Sequence, residues 1–219
     1  MNAMNTNLDG LPFMGRAVAT IVEPQSRRGI ARGTLIVAED GMRPVETLEV
    51  GDSVRTFDNG WQPILEIHRT VLKTDPQDDV DTPLPMTIPA GTLGNARAIT
   101  VMPDQGLMVG SENACDVMGD PFAVVPVQAL EGLCGICRSA PARQTELFVL
   151  VFASEEVVYS DGGQLLHFDR VHPDRTCACY DVKSVSEARA MLTDLDLAEL
   201  VLEDERNEVL SRGRMARVA

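Results

Sequence analysis

From residue 33 onward, short apolar runs alternate with turn signals. Thr34-Leu35-Ile36-Val37-Ala38 is a β-prone run closed by Glu39-Asp40-Gly41, a turn-forming triplet. Residues 43–48 read as a short connecting segment. Ser53-Val54-Arg55-Thr56-Phe57 alternates polar and apolar side chains, the pattern of a half-buried strand. Asp58-Asn59-Gly60 predicts a tight hairpin, because Asn-Gly tolerates the positive φ that such turns demand. Residues 61–72 then read as the returning strand, interrupted at Pro63. Further strands are predicted at 86–88, 98–101, 106–109 and 122–125. Residues 147–152 form a continuous apolar run suited to a strand buried on both faces. Residues 155–159 follow, then the Ser160-Asp161-Gly162-Gly163 turn. Many short strands punctuated by turns predict a mostly β body.

The two ends differ from this body. Residues 1–28 lack periodicity and finish in Pro24-Gln25-Ser26-Arg27-Arg28, so they read as an extended lead-in. Ser184-Val185-Ser186-Glu187 is a capping-box pattern, with serine at the N-cap and glutamate three positions on. Ala188, Met191, Leu192 and Leu195 then recur at helical spacing, and a second helix is expected over 197–210. The last nine residues are expected to fray. The expected organisation is a lead-in over 1–28, a β domain over 29–170, and a helical segment with a tail over 171–219.

Charge and composition narrow the function classes. The chain has 219 residues, with 33 acidic and 19 basic side chains, giving a formal charge of −14. That balance argues against nucleic acid, whose binders draw most of their affinity from basic patches. Aromatic residues are only 4% of the chain, so few rings are available to stack on bases. The longest clean apolar run, residues 147–153, is far short of the roughly twenty residues a membrane-spanning helix needs. The N-terminal stretch has no basic residue before Arg16 and no apolar core, unlike a secretory signal; the expectation is a cytoplasmic protein. Five cysteines is an odd number, which favours reduced thiols over a disulfide framework.

Few residues carry obvious chemistry. Cys134-Gly135-Ile136-Cys137 and Cys177-Ala178-Cys179 could supply four thiolates to a structural zinc ion. Against this, CxC is an unusual ligand pair and neither pair has zinc-knuckle glycines, so free thiols are the main reading and zinc the alternative. Residues 73–83 hold four aspartates, but their spacing does not follow the alternating ligands of a calcium loop, and a solvated loop is expected. Ser26 and Thr34 read as turn and strand hydroxyls, His68 as a satisfied or surface histidine, and Met102, Met108 and Met118 as core.

One block is familiar. Gly33-Thr34, Asp40-Gly41, Pro44-Val45-Glu46 and Gly51-Asp52, in this order and spacing, resemble the opening of a Hint domain, the hedgehog/intein autoprocessing module, in its bacterial form. Pro89-Ala90-Gly91-Thr92-Leu93-Gly94, then Gly119-Asp120-Pro121 with residues 125–130, resemble later family blocks, and Phe152, Glu156-Val157-Val158 and Gly162-Gly163 its last strands. The likeness spans residues 29 to about 168. It implies a flat, pseudo-twofold, all-β fold with long curved strands, here followed by C-terminal helices.

The resemblance also implies where the chemistry should be. Hint autoprocessing begins when a thiol or hydroxyl on the domain's first residue attacks the preceding carbonyl. An imidazole then protonates the departing amine, and a hydroxyl or amide donor stabilises the oxyanion. The nucleophile's position is occupied by Gly29, the hydroxyl's by Met102, the imidazole's by Gln105, and that of a later strand histidine by Val149. None of the four can supply the side-chain chemistry of the residue it replaces. The expectation is therefore a Hint-like protein without autoprocessing, without catalytic residues and without a cofactor, acting as a structural or protein-binding module. Its C-terminal helices would be the surface for an unidentified protein partner, although docking on their own β body is the simpler reading. Two alternatives stay open: autocatalytic cleavage near Arg28-Gly29 with a substitute nucleophile, and a zinc-stabilised interaction protein held by Cys134, Cys137, Cys177 and Cys179.

Overall fold

Two antiparallel sheets carry nearly all of the regular structure. The computed structural model describes residues 27–73, 83–110, 122–139, 144–171 and 180–192. Along the chain these residues form strands β1 (Ile30–Ala31), β2 (Leu35–Ala38), β3 (Gly41–Pro44), β4 (Ser53–Thr56), β5 (Gly60–Pro63) and β6 (Glu66–Lys73). There follow β7 (Met86–Ile88), β8 (Ile99–Val101), β9 (Gly106–Gly110), β10 (Phe122–Pro126) and β11 (Cys137–Arg138). The remaining elements are β12 (Gln144–Val151), β13 (Glu156–Tyr159), β14 (Leu165–Phe168) and helix α1 (Val185–Leu192).

One sheet has the order β11-β7-β8-β1-β12-β6; the other has the order β10-β9-β14-β13-β4-β2-β3, with β5 beside β4. The fold is thus mostly β, as the sequence pattern and the resemblance both implied, with a helix near its C-terminal end, as the sequence pattern implied. The longest strands, β6 and β12, pair from Glu66↔Val151 to Lys73↔Gln144. The main core draws on both sheets: Ile30, Val101, Phe148 and Leu150 from the first, and Ile36, Val54, Val158 and Leu166 from the second.

Two departures from the sequence reading have local causes. Residues 43–48 are not a plain connection, because Arg43 and Pro44 belong to β3, which pairs with β2 as Leu35↔Pro44 through Ala38↔Gly41. The Glu39-Asp40 turn folds the chain back early enough for a hairpin, and a 3-10 turn at Val45–Thr47 follows. The stretch 61–72 is two strands and not one. Pro63 closes β5, which pairs with β4 in one sheet, and β6 pairs with β12 in the other. A proline supplies no amide hydrogen to a ladder, so it marks the place where the chain can leave.

The capping box forms as its pattern predicts: the Glu187 backbone N–H donates to Ser184 Oγ at 3.3 Å, and the Ser184 N–H donates to the Glu187 carboxylate at 2.9 Å. Hydrogen bonds from the Ser184 side chain and then its backbone hold the Glu187 carboxyl below its ordinary range. Ahead of the helix, residues 181–183 lie along β10: Val124 N–H donates to Asp181 O at 3.0 Å, and Lys183 N–H to Val124 O at 2.8 Å. This pairing covers the outer edge of the second sheet, where an unpaired strand would invite other strands. Ala188 and Leu192 are buried in the main core. The expected second helix over 197–210, the lead-in up to residue 26, and Met118 lie outside the described residues.

Candidate functional site

The site is built where the chain enters the first sheet. Residues 27–29 run beside the loop 102–105, which connects β8 to β9. Asp104 N–H donates to Arg27 O at 2.8 Å and Met102 N–H donates to Gly29 O at 2.8 Å. Between these two bonds, the Gly29 N–H donates to Gln105 Oε1 at 3.0 Å. The Gln105 side chain is buried, and its amide nitrogen donates to His167 O at 2.7 Å and to Gly106 O at 3.2 Å. Two carbonyls fix which way the carboxamide faces, so its oxygen is the atom presented to the Arg28-Gly29 peptide.

Val149 completes the group. A Cβ built on Gly29 would sit 3.3 Å from Val149 Cγ2 and 3.2 Å from Phe148 O. Gly29 also has a φ of +130°, a region that L side chains rarely occupy. The positions singled out in the sequence therefore meet at Gly29: Gln105 at its N–H, the Met102 backbone at its carbonyl, and Val149 where a Cβ would stand. Met102 is fully buried among Ala31, Leu72 and Leu147, and Met108 is likewise core.

The chemistry available at this amide is limited. A carboxamide can accept from the Gly29 N–H but cannot pass a proton to a departing amine near neutral pH. Thr34 is buried, and its hydroxyl donates to Ala31 O at 2.7 Å within its own turn. Cys134 and Cys137 are exposed. Cys137 belongs to β11, which is separated from β1 by β8 and β7; three strand spacings put it about 14 Å from β1, out of reach of this amide. Ser26, Cys177 and Cys179 lie outside the described residues. His68 is on β6 and pairs with Glu66, Nε2 to Oε2 at 2.9 Å.

A Hint domain family model matches residues 29–165, starting at the glycine whose amide Gln105 holds. The chain belongs to the Hint domain family. Among solved structures, this Hint chain is similar to the bacterial intein-like domain from Clostridium thermocellum, with 13% identity, a TM-score of 0.41, and coverage of 64% of this chain and 98% of that one. It is similar to the AceL NrdHF class 3 split intein in a splice-inactive variant, with 12% identity, a TM-score of 0.43, and coverage of 66% and 99%. The gp41-1 intein is similar at 12% identity and a TM-score of 0.41, covering 65% and 98%. No curated protein matches the chain. Among the described residues, no helix is long and apolar enough to cross a membrane.

One neighbour of the site was not singled out in the sequence. His167 sits on β14 with its side chain 2% exposed, and its backbone carbonyl anchors Gln105. Burial is the main influence on its imidazole and pushes the pKa below the ordinary 6.5; Asp169 and Glu155 oppose this, and Arg28 adds to it. The unfolded chain therefore takes up a proton at a higher pH than the folded one. The stability this histidine contributes is fully present above pH 6.5 and is lost as pH falls from there towards the depressed folded value. In chelator-treated protein, wild type should lose stability relative to His167→Gln over that window, by at most about 1.4 kcal/mol per pH unit. Urea denaturation of both proteins between neutral and mildly acidic pH checks this, and parallel curves would contradict it.

Proposed function

We propose that this Hint domain has lost autoprocessing and serves as a structural or protein-binding module. The observation that carries the reading is the Gln105 carboxamide, whose oxygen accepts the Gly29 N–H at 3.0 Å in the place where autoprocessing requires a proton donor. An acyl shift converts the amide nitrogen into a leaving amine, and that step needs a proton delivered to the nitrogen. Here the nitrogen is a donor to a group that has no proton to give back. The residue after the scissile bond has no side chain to attack with, and its positive φ and close neighbours disfavour adding one. What remains is a rigid β body with its entry strand clasped on both sides.

A reporter protein fused ahead of the chain tests the reading in cells. The fusion is expected to accumulate as one full-length band, with or without hydroxylamine, which opens esters and thioesters. Release of the reporter carrying residues up to 28 would overturn the proposal in favour of cleavage by a substitute nucleophile.

A further inference from the structure

A second group of chemistry-bearing side chains lies beside the junction and takes no part in the reading above. Strands β13 and β14 pair from Glu156↔Phe168 to Tyr159↔Leu165. Continuing that ladder by one position sets Glu155 opposite Asp169. His167 lies two residues before Asp169, so all three project from one face of the ribbon. Their ligand atoms lie within 4.8 Å of one another, and His167 Nε2 is 3.8 Å from Glu155 Oε1.

The group grades from interior to surface. The His167 side chain is 2% exposed and Glu155 16%, whereas Asp169 is 46% exposed and opens the cluster to solvent. Among the described residues the buried His167 Nε2 has no hydrogen-bond partner, a situation that costs about 1–3 kcal/mol when nothing satisfies the atom. The edge-on contact with Tyr180, at 5.7 Å between ring centroids, walls one side of the imidazole. A cation already stands at the mouth: Arg28 Nη1 donates to Asp169 Oδ2 at 2.5 Å.

We propose that Glu155, His167 and Asp169 form a site for a first-row divalent cation of the zinc class, which displaces the Arg28 guanidinium from Asp169. The donor set supports that class. One imidazole nitrogen with two carboxylate oxygens suits zinc, while a magnesium or calcium site is built from oxygen alone. Three protein ligands leave a position for water, as open zinc sites do. Tetrahedral ligation at the usual bond lengths needs ligand atoms about 3.4 Å apart, so a bound ion would draw Glu155 in from 3.8 Å and turn Asp169 away from Arg28. Burial lowers the pKa of His167, which favours the neutral form in which an imidazole ligates. None of these three ligands is one of the cysteines considered in the sequence.

The test uses the full chain after washing with chelator. Zn²⁺ is titrated calorimetrically. Co²⁺ is titrated by absorption, where thiolate ligation shows a sulfur-to-metal charge-transfer band and nitrogen/oxygen ligation does not. One equivalent is expected, without the thiolate band. Glu155→Gln, His167→Gln and Asp169→Asn are each expected to weaken binding at least tenfold, and Arg28→Ala, which removes the competing cation, to tighten it. Glu155 and Asp169 lie nearer the surface than His167, so their variants stay informative if His167→Gln fails to fold. The proposal is overturned if no metal binds, if the metal is held by thiolates alone, or if affinity is unchanged in Glu155→Gln and Asp169→Asn.

Discussion

Deleting residues 184–219 should lower the melting temperature of the chain by roughly ten degrees. Helix α1 buries Ala188 and Leu192 in the main core, with Val185 and Met191 packed partly against it. It rests on the 3-10 turn Val127–Leu130 and on β10, and the turn's Val127, Ala129 and Leu130 are themselves buried. Full burial of one large aliphatic side chain is worth about 1.5–3 kcal/mol, so losing this set costs about 3–5 kcal/mol. A chain of this size shifts by about 2–4 °C per kcal/mol. Leu192→Ala should move the melting point in the same direction, at a cost of about 2–5 kcal/mol depending on how far the site collapses. Differential scanning calorimetry of both variants measures the effect. A truncated chain that melts unchanged and stays monodisperse would show that the helix is a detachable arm, and the partner-binding reading would gain.

Replacing Gln105 with leucine should cost roughly 2–5 kcal/mol although the two side chains are close in volume. The glutamine is buried and bridges three backbone groups: it accepts from Gly29 N–H and donates to the carbonyls of His167 and Gly106. Leucine fills the space and satisfies none of them, and each buried group left unpaired costs about 1–3 kcal/mol. The penalty should appear in urea denaturation as a lower midpoint with an unchanged slope, since the surface exposed on unfolding stays the same. A variant within half a kcal/mol of wild type would mean that Gln105 is an idle substitution and not a tether.

The parts of the fold that sequence made legible are those closed by nearby residues. Gly33 N–H donates to the Glu46 carboxylate at 2.8 Å, and Val45 N–H to Thr34 O at 2.8 Å. Asp52 accepts from Glu49 N–H at 2.8 Å and from Arg43 at 2.8 Å. These bonds tie Gly33-Thr34 to Pro44-Val45-Glu46 and hold the Gly51-Asp52 turn, so the resemblance rests on residues that clasp one another. The capping box and the Asn59 hairpin were legible for the same reason. Asn59 does more than turn the chain, since its amide donates to the buried Glu156 carboxylate at 3.1 Å.

What stayed hidden depends on distant partners. Strand β1 is two residues long and exists because Ile30 lies between Phe148 and Val101. Strand β11 is equally short and pairs with β7. Strand β14 is buried at every position, so it shows no alternation to read. The positions Gly29, Met102, Gln105 and Val149 could be named only through the resemblance, because periodicity does not connect residues so far apart in sequence. The group of Glu155, His167 and Asp169 was missed because it needs the β13–β14 register. The one local signal was a histidine and an aspartate two apart, on one face of a strand.

The central claim is that the Arg28-Gly29 peptide is held and not cut. The most direct test is the intact mass of the purified chain, followed over days with excess thiol at neutral pH. The account predicts one species at the full 23.8 kDa throughout. A pair of fragments that grows with time and splits close to residue 28 would contradict it.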